Sequence, residues 1–431
     1  MPESKQSAGR RLGIITVDQV VSGASNVLVT LLAAQLLGVA LFGLFGIVLM
    51  VYVLVQGTTR ALVSQPLLVH PEDATARPGD ALGSTLAVGS YAGLLVAAGA
   101  LGALLLDGRL AAALLVLALA LPLLGLQDAG RYLAFASHRP AFALVLDLTW
   151  LLLLVVALGV AVLLDARTLV WFVVCWAGSG SLAGVLLLWR HRGERIRVNH
   201  RWLRRTWDFS WRYMLSFGAM QGSALAGTLA LGGIAGAQAL GAVRGAVFLM
   251  RPYATFQLAA ISGGVAEIAK TPQDRASTRR HARRTTLLAT GVAVLNGLVL
   301  VFLPDPIGRL VLGDTWRYAE PLMLATGVQL VLLGLNSGAR TALTGARMVR
   351  TTTWLDLATS PVILVAAVVG SLVAGASGFV WATALVTGVC VVAWWVPFGG
   401  YLLGRGEQPR VAPAEMPSAA SEPRETQALR Q

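Results

Sequence analysis

The chain has 431 residues, of which 56% are hydrophobic and only 13% charged. Soluble domains carry roughly 25% charged residues, so this composition excludes a water-soluble enzyme and makes lipid the solvent. The net charge of +13 would suit a nucleic-acid binder, but its placement along the chain points to membrane topology instead.

A spanning helix needs about 20 mainly apolar residues. In chain order, such stretches are predicted at 13–37, 41–63, 83–106, 110–134, 141–164, 168–189, 209–234, 239–265, 285–304, 319–343, 352–374 and 377–402. Lys5, Arg10 and Arg11 precede the first run as in a signal peptide. That run continues to about Leu37 and holds Asp18 and Gln19, which is too long and too polar for a cleaved leader. The expected organisation is a cytoplasmic N-terminus at 1–12, six helices at 13–189 and a basic linker at 190–207. Six more helices follow at 208–403, then a Pro-, Ala-, Ser-, Glu- and Arg-rich tail at 404–431 that reads as disordered.

The basic residues alternate with the loops. The termini and even-numbered loops hold 25 of them, including seven arginines from Arg190 to Arg205 and six basic residues from Lys270 to Arg284; the odd loops hold Arg109, Arg167, Arg309 and Arg317. Lys and Arg concentrate in cytoplasmic loops, so both termini are expected in the cytoplasm of a multi-pass plasma-membrane protein. Low Lys with high Arg, Ala and Gly suits a bacterial source. Cationic loops are also suited to anionic headgroups.

The two halves repeat. LLGLQDAGRYLAFASHRPAFALVLD at 123–147 and LLGLNSGARTALTGARMVRTTTWLD at 332–356 match at seven of 25 positions with an offset of 209, Arg131 against Arg340 and Asp147 against Asp356 among them. Gly38 and Gly43 match Gly236 and Gly241 at an offset of 198. An even number of helices per repeat makes the repeats parallel, and transporters of this build bind substrate where the halves meet.

The stretch LLAAQLLGVALFGLFGIVLMVYVLVQGTTRALVSQPLLV at 31–69 resembles the opening hairpin of the polysaccharide-export flippases, with GAQALGAVRGAVFLMRPYATF at 236–256 as its second-half counterpart. These flippases, O-antigen and teichoic-acid exporters among them, belong to the multidrug/oligosaccharidyl-lipid/polysaccharide (MOP) superfamily. The resemblance implies an all-α polytopic membrane fold, with about twelve helices in two parallel-repeat six-helix bundles around a central cavity, like the multidrug exporters (MATE) of that superfamily. It implies alternating access and an anionic substrate on a polyprenyl pyrophosphate, with glycan-assembly enzymes as possible partners.

Ionisable groups at membrane depth cost roughly 2.5–3.5 kcal/mol each on insertion scales, so they are paired or face water. Residues equidistant from a turn share a depth on adjacent helices. This matches Asp18 with Arg60, Arg131 with Asp147, and Arg340 with Asp356. Each match reads as a structural ion pair tying a hairpin. For Asp18–Arg60 a wet cavity wall is the competing reading, because Tyr52, Gln56 and Arg60 share one helix face. Arg251 sits deep in helix eight without an acid in hairpin reach, with Arg244 seven residues away on the same face. Guanidinium engages phosphate oxygens by paired hydrogen bonds. Arg251, Arg60 and Arg244 are therefore expected to contact the head group. Gln56, and the stripe Gln329, Asn336 and Arg340, are further cavity candidates. Asp18 is the candidate for ion coupling.

Cys175 and Cys390 lie in separate apolar runs and read as inert thiols. There is no metal-ligand spacing, and GVAEIAKT at 264–271 misses the phosphate-loop pattern at Ala269. No cofactor, nucleotide or nucleic acid is expected. The competing functions are a MATE-like multidrug or small-molecule exporter of the same superfamily, a membrane glycan polymerase or glycosyltransferase, and a scaffold without transport activity. The longest exterior loop, roughly 305–318, offers only Asp305 and Asp314, few acids for an enzyme.

Overall fold

The computed structural model describes residues 25–405 together with Val21 and Gly23, apart from positions 70, 106, 138 and 272. Asp18 and most of the predicted tail lie outside the described residues. Among the described residues there is no strand, and nine helices are long and apolar enough to cross a membrane. Two of the nine contain a break in the backbone, and one further apolar helix is short, so twelve helices emerge.

Helix α1 is Ser25–Leu36. Helix α2 (Gly38–Thr59) continues through a π-helical turn, Arg60–Ser64, into Gln65–Val69. Pro66 lies just beyond that turn. It has no N–H for an ordinary i−4 bond, and the Gln65 N–H bonds back to the Arg60 carbonyl, one residue further than in an α-helix. Next come α3 (Pro78–Ala103), α4 (Gly108–Ala136), α5 (Pro140–Leu163) and α6 (Leu169–Arg190). The run His200–Leu249 divides at Gly236 into α7 (200–235) and the first part of α8, which resumes after Met250 as Arg251–Ile268. Helices α9 (Arg275–Val301) and α10 (Met323–Gly345) flank two short helices, Asp305–Leu312 and Trp316–Ala319. The run Val349–Leu402 divides at Ala374–Gly375 into α11 (349–373) and α12 (376–402).

Two helices start earlier than hydropathy predicts, α7 at His200 instead of 209 and α9 at Arg275 instead of 285. Helix continues wherever backbone bonds can form. The apolar window ends where charge begins, so hydropathy marks the membrane and not the helix end. Asn199 and Asp274 set the true starts, accepting from the Trp202 and Ser277 amides as N-caps.

The repeat is visible in the backbone. Gly38 and Gly236 both have positive φ, 69° and 83°, each opening the second helix of its hairpin. Gly43 and Gly241 then bring α2 and α8 into backbone contact: a Cβ on Gly43 would stand 2.5 Å from the Gly241 nitrogen. Around this crossing one apolar core takes residues from both halves, such as Phe42, Phe45, Trp176, Leu240, Trp316 and Val380. At the opposite helix ends the cores are separate. One holds Leu67, Leu82, Leu126 and Leu187; the other holds Leu343, Trp394, Phe398 and Tyr401. The halves thus share their largest core at the end with the Gly38 and Gly236 turns, and at the other end α7 stays on the first half, with Trp202 in its core and Phe217 against Gly57. The segment before α7 and the start of α7 dock on the first half, where Arg197 and Asn199 bind Asp80 at 3.0 and 2.7 Å and the Trp202 indole donates to Asp73.

Candidate functional site

A cavity of about 440 Å³ lies beside the α2–α8 crossing. Its lining comes from α2 (Gly46, Met50, Val53), α7 (Gln221, Thr228), α8 (Arg244, Met250, Arg251), α10 (Thr326, Gln329), α11 and α12. Only α2 represents the first half.

Arg244 and Arg251 are the cations of this cavity, and no acidic side chain is among its described lining residues. Each is held by something other than a carboxylate. Arg244 lays its stem across Gly46, where a Cβ would stand 2.9 Å from its Cδ; the glycine makes the lane for the side chain. Arg251 starts the second segment of α8. Pro252 follows it, and its ring opposes the carbonyl of residue 248, so the helix breaks at Met250. The Arg251 guanidinium stands 5.7 Å over the Phe248 ring, and its Nη1 donates to the Asn26 carbonyl on α1 at 3.1 Å. Neither guanidinium is ion-paired among the described residues.

Arg60 and Gln56, expected at the same site, lie elsewhere in the first half. Arg60 makes a bidentate pair with Asp128 of α4, Nε to Oδ2 at 2.8 Å and Nη2 to Oδ1 at 2.7 Å. Gln56 donates to the Tyr52 hydroxyl and to Asp128, and the Tyr132 ring lies 5.6 Å from the guanidinium carbon of Arg60. Asp18 lies outside the described residues, and the carboxylate that meets Arg60 is Asp128. Depth matching compared only the two arms of a hairpin, and α2 and α4 are not one. The repeat gave no signal for it, because at the offset of 209 Asp128 stands against Ser337.

The other two matches meet as ion pairs. Arg131 Nε lies 3.3 Å from Asp147 Oδ2, and Arg340 Nη2 lies 3.2 Å from Asp356 Oδ1. Asp147 also accepts from Gln127 at 2.7 Å; Asp356 also accepts from the Ser216 hydroxyl of α7. Arg340 stacks over Trp394, away from the 440 Å³ cavity. Asn336, the repeat counterpart of Gln127, does not line that cavity either, and its Oδ1 is buried. Gln329 of the same stripe does line it. At 3.6 residues per turn, steps of seven and four stay on one face, but the stripe rises about 16 Å from Gln329 to Arg340 and so runs past the cavity. Both cysteines are buried and unpaired, and no cluster of metal-binding type occurs among the described residues.

Solved transporter structures share this architecture. An inward-facing multidrug resistance MATE family transporter of the MOP superfamily aligns with a TM-score of 0.66 at 14% identity, covering 91% of this chain and 98% of its own. The lipid II flippase MurJ, in an inward closed conformation, aligns with a TM-score of 0.70 at 10% identity, covering 89% and 87%. A MOP superfamily transporter from Pyrococcus furiosus aligns with a TM-score of 0.58 at 14% identity, covering 91% and 94%. At these identities the likeness establishes the fold. No curated protein matches the chain in sequence. A family model described as polysaccharide biosynthesis protein matches residues 32–321, most of the chain, and the chain belongs to that family.

Proposed function

We propose that this protein is a flippase that moves a polyprenyl pyrophosphate-linked oligosaccharide or polysaccharide precursor across the bacterial plasma membrane by alternating access. The observation that carries this reading is the cavity lined by Arg244 and Arg251 with no acid among its described residues. A cation pair among low-dielectric helices attracts an anion more strongly than in water, and a pyrophosphate presents several oxygens to guanidinium forks. The sugar-phosphate head crosses beside the arginines while the polyprenyl chain stays in lipid. Family membership in polysaccharide biosynthesis supports the glycan. One large core at the end with the Gly38 and Gly236 turns and two smaller cores at the other support two bodies that rock about their shared core, with residues 13–189 in one and 208–403 in the other. The charge bias of the loops supports cytoplasmic termini.

A multidrug exporter is the second reading, because MATE proteins share the fold. The two guanidiniums, with no acid among the described lining residues, oppose it for cationic drugs, which they would repel. Export of lipid-linked glycan, measured at equal membrane abundance, separates the readings. Arg251→Ala or Arg244→Ala should lower it about ten- to hundred-fold, the range for losing a charge-assisted hydrogen bond. Arg251→Lys should restore part, since it keeps the charge and loses the fork. Unchanged export in both alanine variants removes the cavity from the transport path.

A further inference from the structure

The repeat that relates the two halves is broken at one connection. In the first half α3 ends at Ala103 and α4 begins at Gly108. In the second half α9 ends at Val301 and α10 begins at Met323, and the stretch between them carries the helices Asp305–Leu312 and Trp316–Ala319. A short turn suffices for the first half, so joining two antiparallel helices does not require this insertion. It lies at the end with the Gly38 and Gly236 turns, which the charge bias assigns to the outside.

The insertion is stiff and belongs to the second half. The Trp316 indole donates to Asp305 Oδ1 at 2.9 Å, and Gly308 lies under the same ring, where a Cβ would collide with it. These contacts join the two short helices into one body. Leu312, Thr315 and Ala319 close on Gly245 of α8, where a Cβ would stand 3.2–3.3 Å from each. The far edge of the insertion rests on the first half. Gly313 has φ 57° and ψ −140°, a conformation nearly confined to glycine. It brings the turn against the end of α1: a Cβ on Gly313 would stand 3.5 Å from the Ala34 carbonyl oxygen and from the Gln35 Cα. Among the described residues, one side-chain hydrogen bond joins the insertion to α1, from Gln35 Nε2 to the Leu310 carbonyl at 2.8 Å. The arginine cavity lies directly beyond. Thr326, which lines it, is one helical turn past Leu322, where the insertion ends.

We propose that residues 302–322 form a lid, carried by the second half, that seals the outer end of the arginine cavity against α1. The inference rests on the alternating-access reading above. When the halves part at this end, the lid leaves with α8 as a rigid body and the Gln35–Leu310 contact breaks. A stiff piece held to α1 by a glycine turn and one hydrogen bond closes a wide area and still releases readily. One lid serves both halves, which accounts for its absence from the first.

Two measurements on the full-length protein in intact cells test the lid. The first needs no substrate. Thr326 is 1% exposed, so in Thr326→Cys an impermeant maleimide added outside reaches the thiol only while the lid is open; Cys175 and Cys390 are buried and give no background. Adding Gln35→Ala, at an exposed position, should speed this labelling about two- to ten-fold, the effect of losing one hydrogen bond. Adding Arg317→Ala, exposed on the lid and without a bond to α1 among the described residues, should leave the rate unchanged. Equal rates with and without Gln35 overturn the proposal. The second measurement locks the lid. Gln35→Cys and Asp314→Cys, both exposed, are joined by a short bis-maleimide. The crosslinked fraction should lose export of lipid-linked glycan, while a monofunctional maleimide on the same pair leaves export unchanged. Export that survives the crosslink also overturns the proposal. Failure of the flippase reading is distinct: the wild type would then export no glycan, whatever the labelling rates.

Discussion

A guanidinium at membrane depth needs an anion, water or an aromatic face, and this protein divides its arginines among those solutions. Arg60, Arg131 and Arg340 have carboxylates; Arg251 has a ring and a carbonyl; Arg244 has a glycine lane and the cavity. The Arg60–Asp128 pair is unequal, with the Asp128 side chain 2% exposed and that of Arg60 31% exposed. Removing the arginine strands a buried carboxylate, whereas removing the acid leaves a cation that can reach water. Arg60→Ala should therefore destabilise more than Asp128→Ala, by about 3–5 kcal/mol if the charge stays buried. The double alanine variant should cost less than the two singles together. Unfolding in detergent measures all three, and additive losses would show that the pair is not coupled. Gly46 offers a second residue-scale test. Gly46→Val removes the lane of Arg244 without touching a charge, so export should fall with folding and abundance retained; export at the wild-type level would show that Arg244 need not cross α2.

At the scale of elements, glycine and proline set the geometry. Gly236→Ala forces a Cβ onto a backbone with φ 83° and ψ 174°, a conformation nearly confined to glycine, costing about 1–3 kcal/mol. Gly38→Ala, its repeat partner, should cost about the same, because both have positive φ and no atom within 4 Å of the added Cβ. Gly241→Ala should cost more than either, since its Cβ would strike the Val39 carbonyl and push α2 from α8. Thermal melting of the three variants gives the order, and equal shifts would contradict the crossing as a close backbone contact between the halves. The glycines were legible as a repeat because the offset of 198 is in the chain. Their use was not, because positive φ and close approach are properties of two helices meeting. The same holds for the π turn before Pro66 and the break before Pro252. Proline announces that a helix must adapt, and its neighbours decide whether by a longer bond or by a break.

At the scale of the molecule, the charge bias and the helix count predict sidedness. Cys175 and Cys390 are buried, so a single added cysteine reports cleanly. Gly193→Cys, exposed in the linker, should react with an impermeant maleimide only from the cytoplasmic face; Asp314→Cys, exposed between α9 and α10, should react only from outside. Labelling of both from one side would break the topology.

The amino-acid sequence by itself determined the solvent, the number of helices, the repeat and the pairing of Arg131 with Asp147 and of Arg340 with Asp356. Those follow from length, hydropathy and depth along one hairpin, all one-dimensional quantities. Tertiary structure alone decided that Asp128 meets Arg60, that Gln56 and Asn336 leave the cavity while Arg244 and Arg251 share it, and that the stretch between α9 and α10 rests on α1. Each depends on which helices are neighbours and on how far each has rotated about its axis. Lipid leaves that rotation open, because an apolar helix in a bilayer has no hydrophobic reason to turn one face inward. Packing of small residues and the satisfaction of polar groups fix it instead, and those partners come from distant parts of the chain.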